Sequence, residues 1–223
     1  MRLRKPTRLL LLLTLLGIFS FPLMGDARTH NLAAEWSDTV NPNGLWSYNA
    51  GDTPMTNRQH WYEVNGWVWG ISSGWSLPVA FKITTDNPYG FDFKAGDTGV
   101  HGDYIVPTNL VWTSDISGHA RVRGNAWLVR NIGRNMYWGV YVNEVLKTSG
   151  LMTAGSYSRA APFDFLNGSG GESALTFRVA PGTKITLSLW VPPDKVPDYV
   201  GLDFTIDAIP DQLWPGTMLL LLD

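Results

Sequence analysis

The chain has 223 residues, of which 16% are charged and 13% are aromatic, with 11 Trp, no Cys and a formal net charge of −2. The lack of cysteine excludes disulfides, thiolate metal sites and thiol chemistry. No cluster of Lys and Arg occurs beyond the N-terminal segment, so the positive surface that binds a phosphate backbone is missing and we expect no nucleic-acid partner.

The N-terminal segment from Met1 to Ala27 has the pattern of a secretory signal peptide. Basic residues precede a leucine-rich apolar run over 9–21, and Gly25-Asp26-Ala27 supplies the small residues that a signal peptidase recognises. The apolar run is too short and wrongly flanked for a membrane-spanning helix. We therefore predict cleavage near Arg28 and a secreted bacterial protein, at the cell surface, outside the cell or in the periplasm. Without cysteine, such a protein must be held together by core packing.

Strand patterns dominate the rest of the chain. After a less regular stretch over 31–99, predicted to form long loops and outer strands, β-branched and aromatic segments recur at 81–84, 110–113, 120–127, 136–142, 174–179, 184–190 and 199–206. Turn residues separate them at 115–118, 131–135, 167–171 and 180–183. The sequence predicts an all-β fold, an antiparallel, jelly-roll-like β-sandwich over 28–210, followed by a short C-terminal tail over 211–223.

An aromatic pair follows the first predicted turn of the mature chain. Asn41-Pro42-Asn43-Gly44 has turn composition, and Trp46 and Tyr48 follow it with the period of a strand. Both rings therefore lie on one side of that strand. Large aromatic residues at this period are usually buried, so we expect core packing rather than an exposed stacking pair.

Four closely spaced tryptophans form the strongest candidate ligand site. Flat aromatic faces stack on the C–H faces of sugar rings, and the indole N–H adds a polar contact. Trp67 and Trp69 would share one face of a strand. The alternative is that these indoles fill the sandwich core. The candidate glycan-binding residues are Trp61, Trp67, Trp69, Trp75, Glu63 and Asn65, with His60 as a further polar neighbour.

Asp97, His101 and Asp103 form a weak candidate for a calcium site. Carboxylate oxygens are calcium ligands, and a carboxylate could also pair with the histidine. The segment lacks the closely spaced carboxylates of a dedicated calcium loop, so a hydrogen-bonded structural histidine at a strand end is favoured. We expect no cofactor, with a structural calcium ion as the one exception to consider.

Catalysis has little support in the sequence. Glycoside hydrolysis needs two carboxyl groups on either side of the bond, and no spacing among the Glu and Asp residues enforces such a pair. Glu63, among the tryptophans, is the best single candidate for an acid. No Gly-x-Ser-x-Gly or His-Glu-x-x-His motif occurs. A non-catalytic protein is therefore favoured over an enzyme.

Several short segments together resemble a family of exported bacterial β-sandwich domains that often occur in proteins with a PEP-CTERM sorting tail. The segments are 34–38, 41–48, 99–102, 110–113 with 117–118, 140–143, 177–183 and 198–202. The resemblance implies a jelly-roll-like sandwich similar to carbohydrate-binding modules, a place at the cell surface or in exopolysaccharide, and no known reaction. Two departures are the absence of a Pro-Glu-Pro tail and Gly102 after His101, where the family pattern commonly has proline.

The sequence thus favours an exported, non-catalytic β-sandwich that binds or organises glycan at the bacterial surface or in the extracellular matrix. Its expected partner is a polysaccharide or exopolysaccharide. One alternative is a purely structural or assembly protein of the envelope whose tryptophans are all internal. The other is a small glycan-active hydrolase or lyase with two carboxylates in a cleft.

Overall fold

The structure, a computed structural model, describes residues 26–74, 76–192 and 195–213. Nearly all of the predicted signal peptide, Trp75 and most of the predicted tail lie outside these residues. The described chain forms two antiparallel sheets of nine and six strands that pack together. The predicted all-β sandwich is thereby confirmed.

The described residues form fifteen strands and four short 3₁₀ turns. None of the helical segments among them is long and apolar enough to cross a membrane. The strands are β1 (Arg28–Asn31), β2 (Trp46–Ala50), β3 (Thr53–Pro54), β4 (Asn57–Trp61), β5 (Gly66–Gly70), β6 (Val79–Lys82), β7 (Thr98–His101), β8 (Thr108–Thr113), β9 (Gly118–Leu128), β10 (Met136–Val142), β11 (Val145–Met152), β12 (Phe163–Asp164), β13 (Thr176–Val179), β14 (Lys184–Trp190) and β15 (Tyr199–Pro210). The 3₁₀ turns are Pro88–Gly90, Phe165–Asn167, Glu172–Leu175 and Asp211–Leu213.

The nine-stranded sheet is built around the long pair β9 and β15. Its main order is β12-β9-β15-β7-β6-β5-β4. Strand β1 pairs with β15 beyond the end of β7, and β13 pairs with β9 beyond β12. The six-stranded sheet has the order β11-β10-β14-β8-β2-β3. Strands distant in sequence are therefore neighbours in both sheets.

The main core lies between the two sheets and is rich in tryptophan. Trp46, Trp112 and Trp138 of the six-stranded sheet are completely buried there, together with Tyr48. Trp46 packs edge-on against Phe204 of β15, with ring centroids 5.4 Å apart. The expectation that Trp46 and Tyr48 are core residues is confirmed, and large aromatic side chains stabilise a sandwich that has no disulfides.

A second hydrophobic cluster covers the other face of the nine-stranded sheet. It contains Trp127 and Tyr199 from the central strands, and Phe91 and Phe93 from the segment between β6 and β7. The sheet accommodates these rings because of glycine: a Cβ atom at Gly201 would lie only 2.2 Å from the Trp127 ring. The outer face of the nine-stranded sheet therefore carries a small second core, which the segment between β6 and β7 covers.

Candidate functional site

The outer face of the six-stranded sheet carries a row of polar residues at its centre. Asn49 of β2 lies directly opposite Asn109 of β8, which in turn lies opposite Ser188 of β14. Ser188 pairs with Gly139 of β10. Strand alternation sends Tyr48, Leu110 and Leu187 into the core, so their polar neighbours point outward.

The polar row forms the floor of a groove that crosses the sheet. A cavity of about 580 Å³ lies over the floor, and a second cavity of about 300 Å³ adjoins it at Pro107, Tyr141 and Ser188. Small-molecule sites commonly have volumes of about 300–1,000 Å³; the first cavity falls within this range and the second lies at its lower bound. We call the two adjoining cavities the sheet groove. It is lined by Asn49, Asp52, Pro107, Asn109, Val111, Tyr141, Asn143, Glu144, Gly182, Lys184, Thr186 and Ser188, and in its second cavity also by Asp103, Tyr104, Ile105, Val106, Trp190 and Val191.

The floor of the sheet groove retains unused hydrogen-bonding groups. Asn49, Asn109 and Ser188 are only 7%, 9% and 6% exposed. The Asn109 Nδ2 donates to the carbonyl of Gly51 at 2.8 Å, but its buried Oδ1 accepts no hydrogen bond from the described part of the protein. Asn49 Oδ1 accepts from Ser47 Oγ at 2.5 Å, which leaves the Asn49 amide nitrogen as a donor. An unsatisfied buried polar group costs about 1–3 kcal/mol, so a partner at this floor would be stabilising.

Aromatic rings flank the polar floor on the β10 and β14 side. Tyr137 stacks on Trp190 with centroids 5.4 Å apart and an interplanar angle of 20°. Gly139 leaves space for the rings, because a Cβ atom there would lie 3.1 Å from both Trp190 and Tyr141. Tyr141 and Trp190 are half-buried and line the groove. Apolar ring faces and hydrogen-bonding groups thus lie side by side in one open depression.

The predicted cluster of tryptophans does not form a single surface. Trp61 and Trp69 are buried, and the Trp69 indole donates to the carbonyl of Ser37 at 2.8 Å. Trp67 is 40% exposed, but the Arg58 guanidinium carbon lies 3.6 Å from its ring centroid and the His60 ring packs edge-on against it. Trp75 lies outside the described residues. Of the described indoles in this group, Trp67 alone is accessible, and one of its faces is covered.

The polar members of that predicted cluster have structural partners. Glu63 accepts a hydrogen bond from the Tyr199 hydroxyl at the edge of the second hydrophobic cluster. Burial and this hydrogen bond raise the pKa of Tyr199. The Asn65 backbone has φ 46°, in the left-handed region, and its side chain donates to Thr85 Oγ1 at 3.3 Å. Asparagine is common at such turn positions.

The three candidate calcium ligands are engaged separately. Asp97 accepts two hydrogen bonds from Arg159, at 2.7 and 3.0 Å. His101 Nδ1 donates to the carbonyl of Gly102 at 2.8 Å, and burial lowers the pKa of His101. Asp103 accepts from the backbone N–H of Tyr104. Across the described residues, no three His, Cys, Asp or Glu side chains are grouped so that they could hold a metal ion.

The residues of the groove floor were not among the sequence candidates. Asn49 and Asn109 occupy outward positions of strands whose alternate residues are large and apolar, and asparagine is uncommon in strands. An asparagine at an outward position of such a strand is the signal by which the sequence could have indicated this floor. The two neighbours of Asn109 in the row, Asn49 and Ser188, lie far from it along the chain, so the assembled row depends on the sheet order.

Comparison with known proteins supplies no assignment. No protein-family model matches the chain, and no curated protein matches it. A β-sandwich hosts many unrelated functions, so the fold alone does not define one. The sheet groove is therefore the feature of this molecule that bears on its function.

Proposed function

We propose that this protein is a non-catalytic glycan-binding β-sandwich and that the sheet groove holds a stretch of polysaccharide outside the cytoplasm. The observation that carries the proposal is the position of Asn49, Asn109 and Ser188 beside the rings of Tyr141 and Trp190. A sugar ring has the matching chemistry, with apolar C–H faces and a rim of hydroxyl groups.

The two halves of the groove would contact different parts of a sugar. The rings of Tyr141 and Trp190 offer apolar faces of the kind that stack on C–H groups. The Asn49 amide nitrogen offers donors, the Asn109 Oδ1 offers an acceptor, and the Ser188 hydroxyl can do either. Sugar hydroxyl groups can donate and accept, so one ring can satisfy the floor while it stacks against the wall.

The length of the groove favours a polymer over a free monosaccharide. Its two cavities adjoin, and the groove runs from the β2–β3 turn near Asp52 to the β10–β11 turn near Glu144. A chain of several sugars can therefore lie across the sheet. For a groove this open we expect affinities of about 10⁻³ to 10⁻⁵ M, which correspond to binding free energies of about −4 to −7 kcal/mol.

The proposal is tested by titrating the protein, residues 28–223, with soluble glucan, mannan, galactan, chitin oligosaccharides and alginate. Calorimetry measures the binding of each glycan. We expect saturable binding of at least one of them, with affinity rising with chain length. Tyr141→Ala should weaken binding at least tenfold because it removes a stacking ring, whereas Tyr141→Phe should retain most of it.

Tyr62→Ala is the matched control, because Tyr62 is an exposed tyrosine on the turn between β4 and β5 of the other sheet. It should leave glycan binding unchanged. Absence of binding to the whole panel would contradict the proposed function. Glycan binding that survives Tyr141→Ala but is lost in Trp67→Ala would instead place the site at the exposed tryptophan.

A further inference from the structure

The rim of the sheet groove carries more negative than positive charge. Asp52 lies in the turn between β2 and β3, and Glu144 lies in the turn between β10 and β11, at opposite corners of the groove. Asp103 borders the adjoining cavity. Among the described residues, Lys184 is the one cation of the groove lining.

The carboxylates of the groove rim are not neutralised by neighbouring cations. In the ranges that the structure covers, Asp52, Asp103 and Glu144 make no ion pair. Five carboxylates of the nine-stranded sheet and its loops are paired with arginine. These pairs are Asp97 with Arg159, Glu172 with Arg121, Asp198 with Arg130, Asp207 with Arg123, and Asp211 with Arg178.

The described lining of the groove also contains no arginine. Arginine is the residue best suited to bind a sugar carboxylate, because its planar guanidinium donates two parallel hydrogen bonds. An acidic sugar in this groove would meet Lys184 as the only cation of that lining and three carboxylates of its own sign. A sugar with a free amino group would meet three carboxylates of opposite sign and one like charge, that of Lys184.

We infer that the sheet groove selects glycans by charge, favouring amino sugars over neutral sugars and rejecting uronic acids. The inference rests on the proposed function, since it concerns the ligand of the same groove. Exposed charges act within about 30 Å at an ionic strength of about 0.01 M and within about 3 Å at about 1 M. Preference for the amino form should therefore be large at low salt and disappear at high salt.

The test compares three hexasaccharides with the same glycosidic linkage, made of glucosamine, N-acetylglucosamine and mannuronate. Titrations are made near pH 6, where the amine is protonated and exposed carboxylates are ionised. At low salt we expect the glucosamine chain to bind about threefold to tenfold more tightly than the acetylated chain, as expected for a few exposed charge pairs. The mannuronate chain should bind most weakly.

Two variants assign the preference to the rim. The double substitution Asp52→Asn with Glu144→Gln keeps the shapes of the side chains, and it should remove most of the preference for the glucosamine chain, because Asp103 is then the one rim carboxylate left against Lys184 in the described lining. Glu172→Gln is the control, because it removes the same kind of charge from an exposed position next to the nine-stranded sheet. It should leave the preference intact.

Equal or tighter binding of the mannuronate chain would overturn the inference, as would a preference that is undiminished in the double variant. If none of the three hexasaccharides binds but another glycan of the earlier panel does, selection by charge is wrong and the proposed function stands. If wild-type protein binds no glycan at all, both are wrong.

Discussion

The outer faces of the two sheets carry similar side chains in different settings. On the nine-stranded sheet, Trp127 and Tyr199 are covered by Phe91 and Phe93 from the β6–β7 segment and form a second core. On the six-stranded sheet, Tyr141 and Trp190 border an open groove, with no such cover from the described residues. The difference shows that an outward aromatic residue stabilises the fold or remains available to a ligand according to whether the chain supplies a covering segment.

The charged groups of the two faces differ in the same way. On the nine-stranded side, carboxylates such as Asp198 and Asp97 are held by arginine. On the groove side, Asp52 and Glu144 have no cationic partner among the described residues. The covered face thus pairs these carboxylates within the protein, whereas those of the open face remain exposed to solvent.

The largest expected effect comes from removing an aromatic side chain of the covered face. Trp127→Ala should lower the free energy of unfolding by about 3–5 kcal/mol, because it opens a cavity in the second core. Tyr141→Ala, on the open face, should cost less than about 1 kcal/mol. Urea unfolding of both variants and wild type measures the difference. Equal losses would show that the two faces are packed alike.

A smaller effect is expected from the buried ion pair of the covered face. Arg130 Nε donates to Asp198 at 2.7 Å, and the Asp198 side chain is almost fully buried. Arg130→Gln should destabilise the protein by about 2–3 kcal/mol, since it leaves a buried carboxylate without its cation.

The control for this prediction is the double variant Arg130→Gln with Asp198→Asn, which also removes the negative charge of the unpaired carboxylate. It should recover part of the lost unfolding free energy in the same urea experiment. A double variant that is less stable than Arg130→Gln alone would show that the charge of Asp198 is not what destabilises the single variant.

The smallest effect concerns pH and the histidine next to the second core. Burial lowers the pKa of His101, whose ring packs edge-on against Tyr199 at 4.3 Å. The neutral form is therefore favoured in the folded protein. The corresponding stability is present above the pKa of the unfolded chain, about 6.5, and is lost as the pH falls through the folded pKa.

His101→Gln removes this titration. The urea midpoint of wild type should therefore fall more steeply between pH 7.5 and pH 5 than that of the variant, a window set about the unfolded-chain value of about 6.5. His60→Gln, at an exposed position of β4, is the matched control and should behave like wild type. Parallel curves for wild type and His101→Gln would contradict the assignment.

The sandwich could be predicted from the sequence because the alternation of inward and outward side chains is visible within each strand. The sequence placed Trp46 and Tyr48 in the core correctly for the same reason. Alternation also puts Trp67 and Trp69 on one side of β5, but their exposure differs because Trp69 packs into the main core and donates to the carbonyl of Ser37, whereas Trp67 lies outside that core. Which residues are covered depends on contacts between distant segments, and a local pattern does not contain that information.

The groove illustrates the same limit. Each member of the row formed by Asn49, Asn109 and Ser188 looks like an ordinary outward residue in its own strand. The row exists because β8 pairs with β2 on one side and with β14 on the other. The order of strands in a sheet is set by the packing of the whole domain, so the site could not be assembled from the sequence alone.

Gly139 lies where an added side chain would affect the sheet groove and not the main core. The position points away from the main core, and its lack of a side chain gives the rings of Trp190 and Tyr141 their space. A methyl group there would push against both rings while leaving the buried face of β10 untouched. A single added carbon atom would therefore shift the two rings by a few tenths of an ångström, so the shape of the groove wall depends on this one glycine.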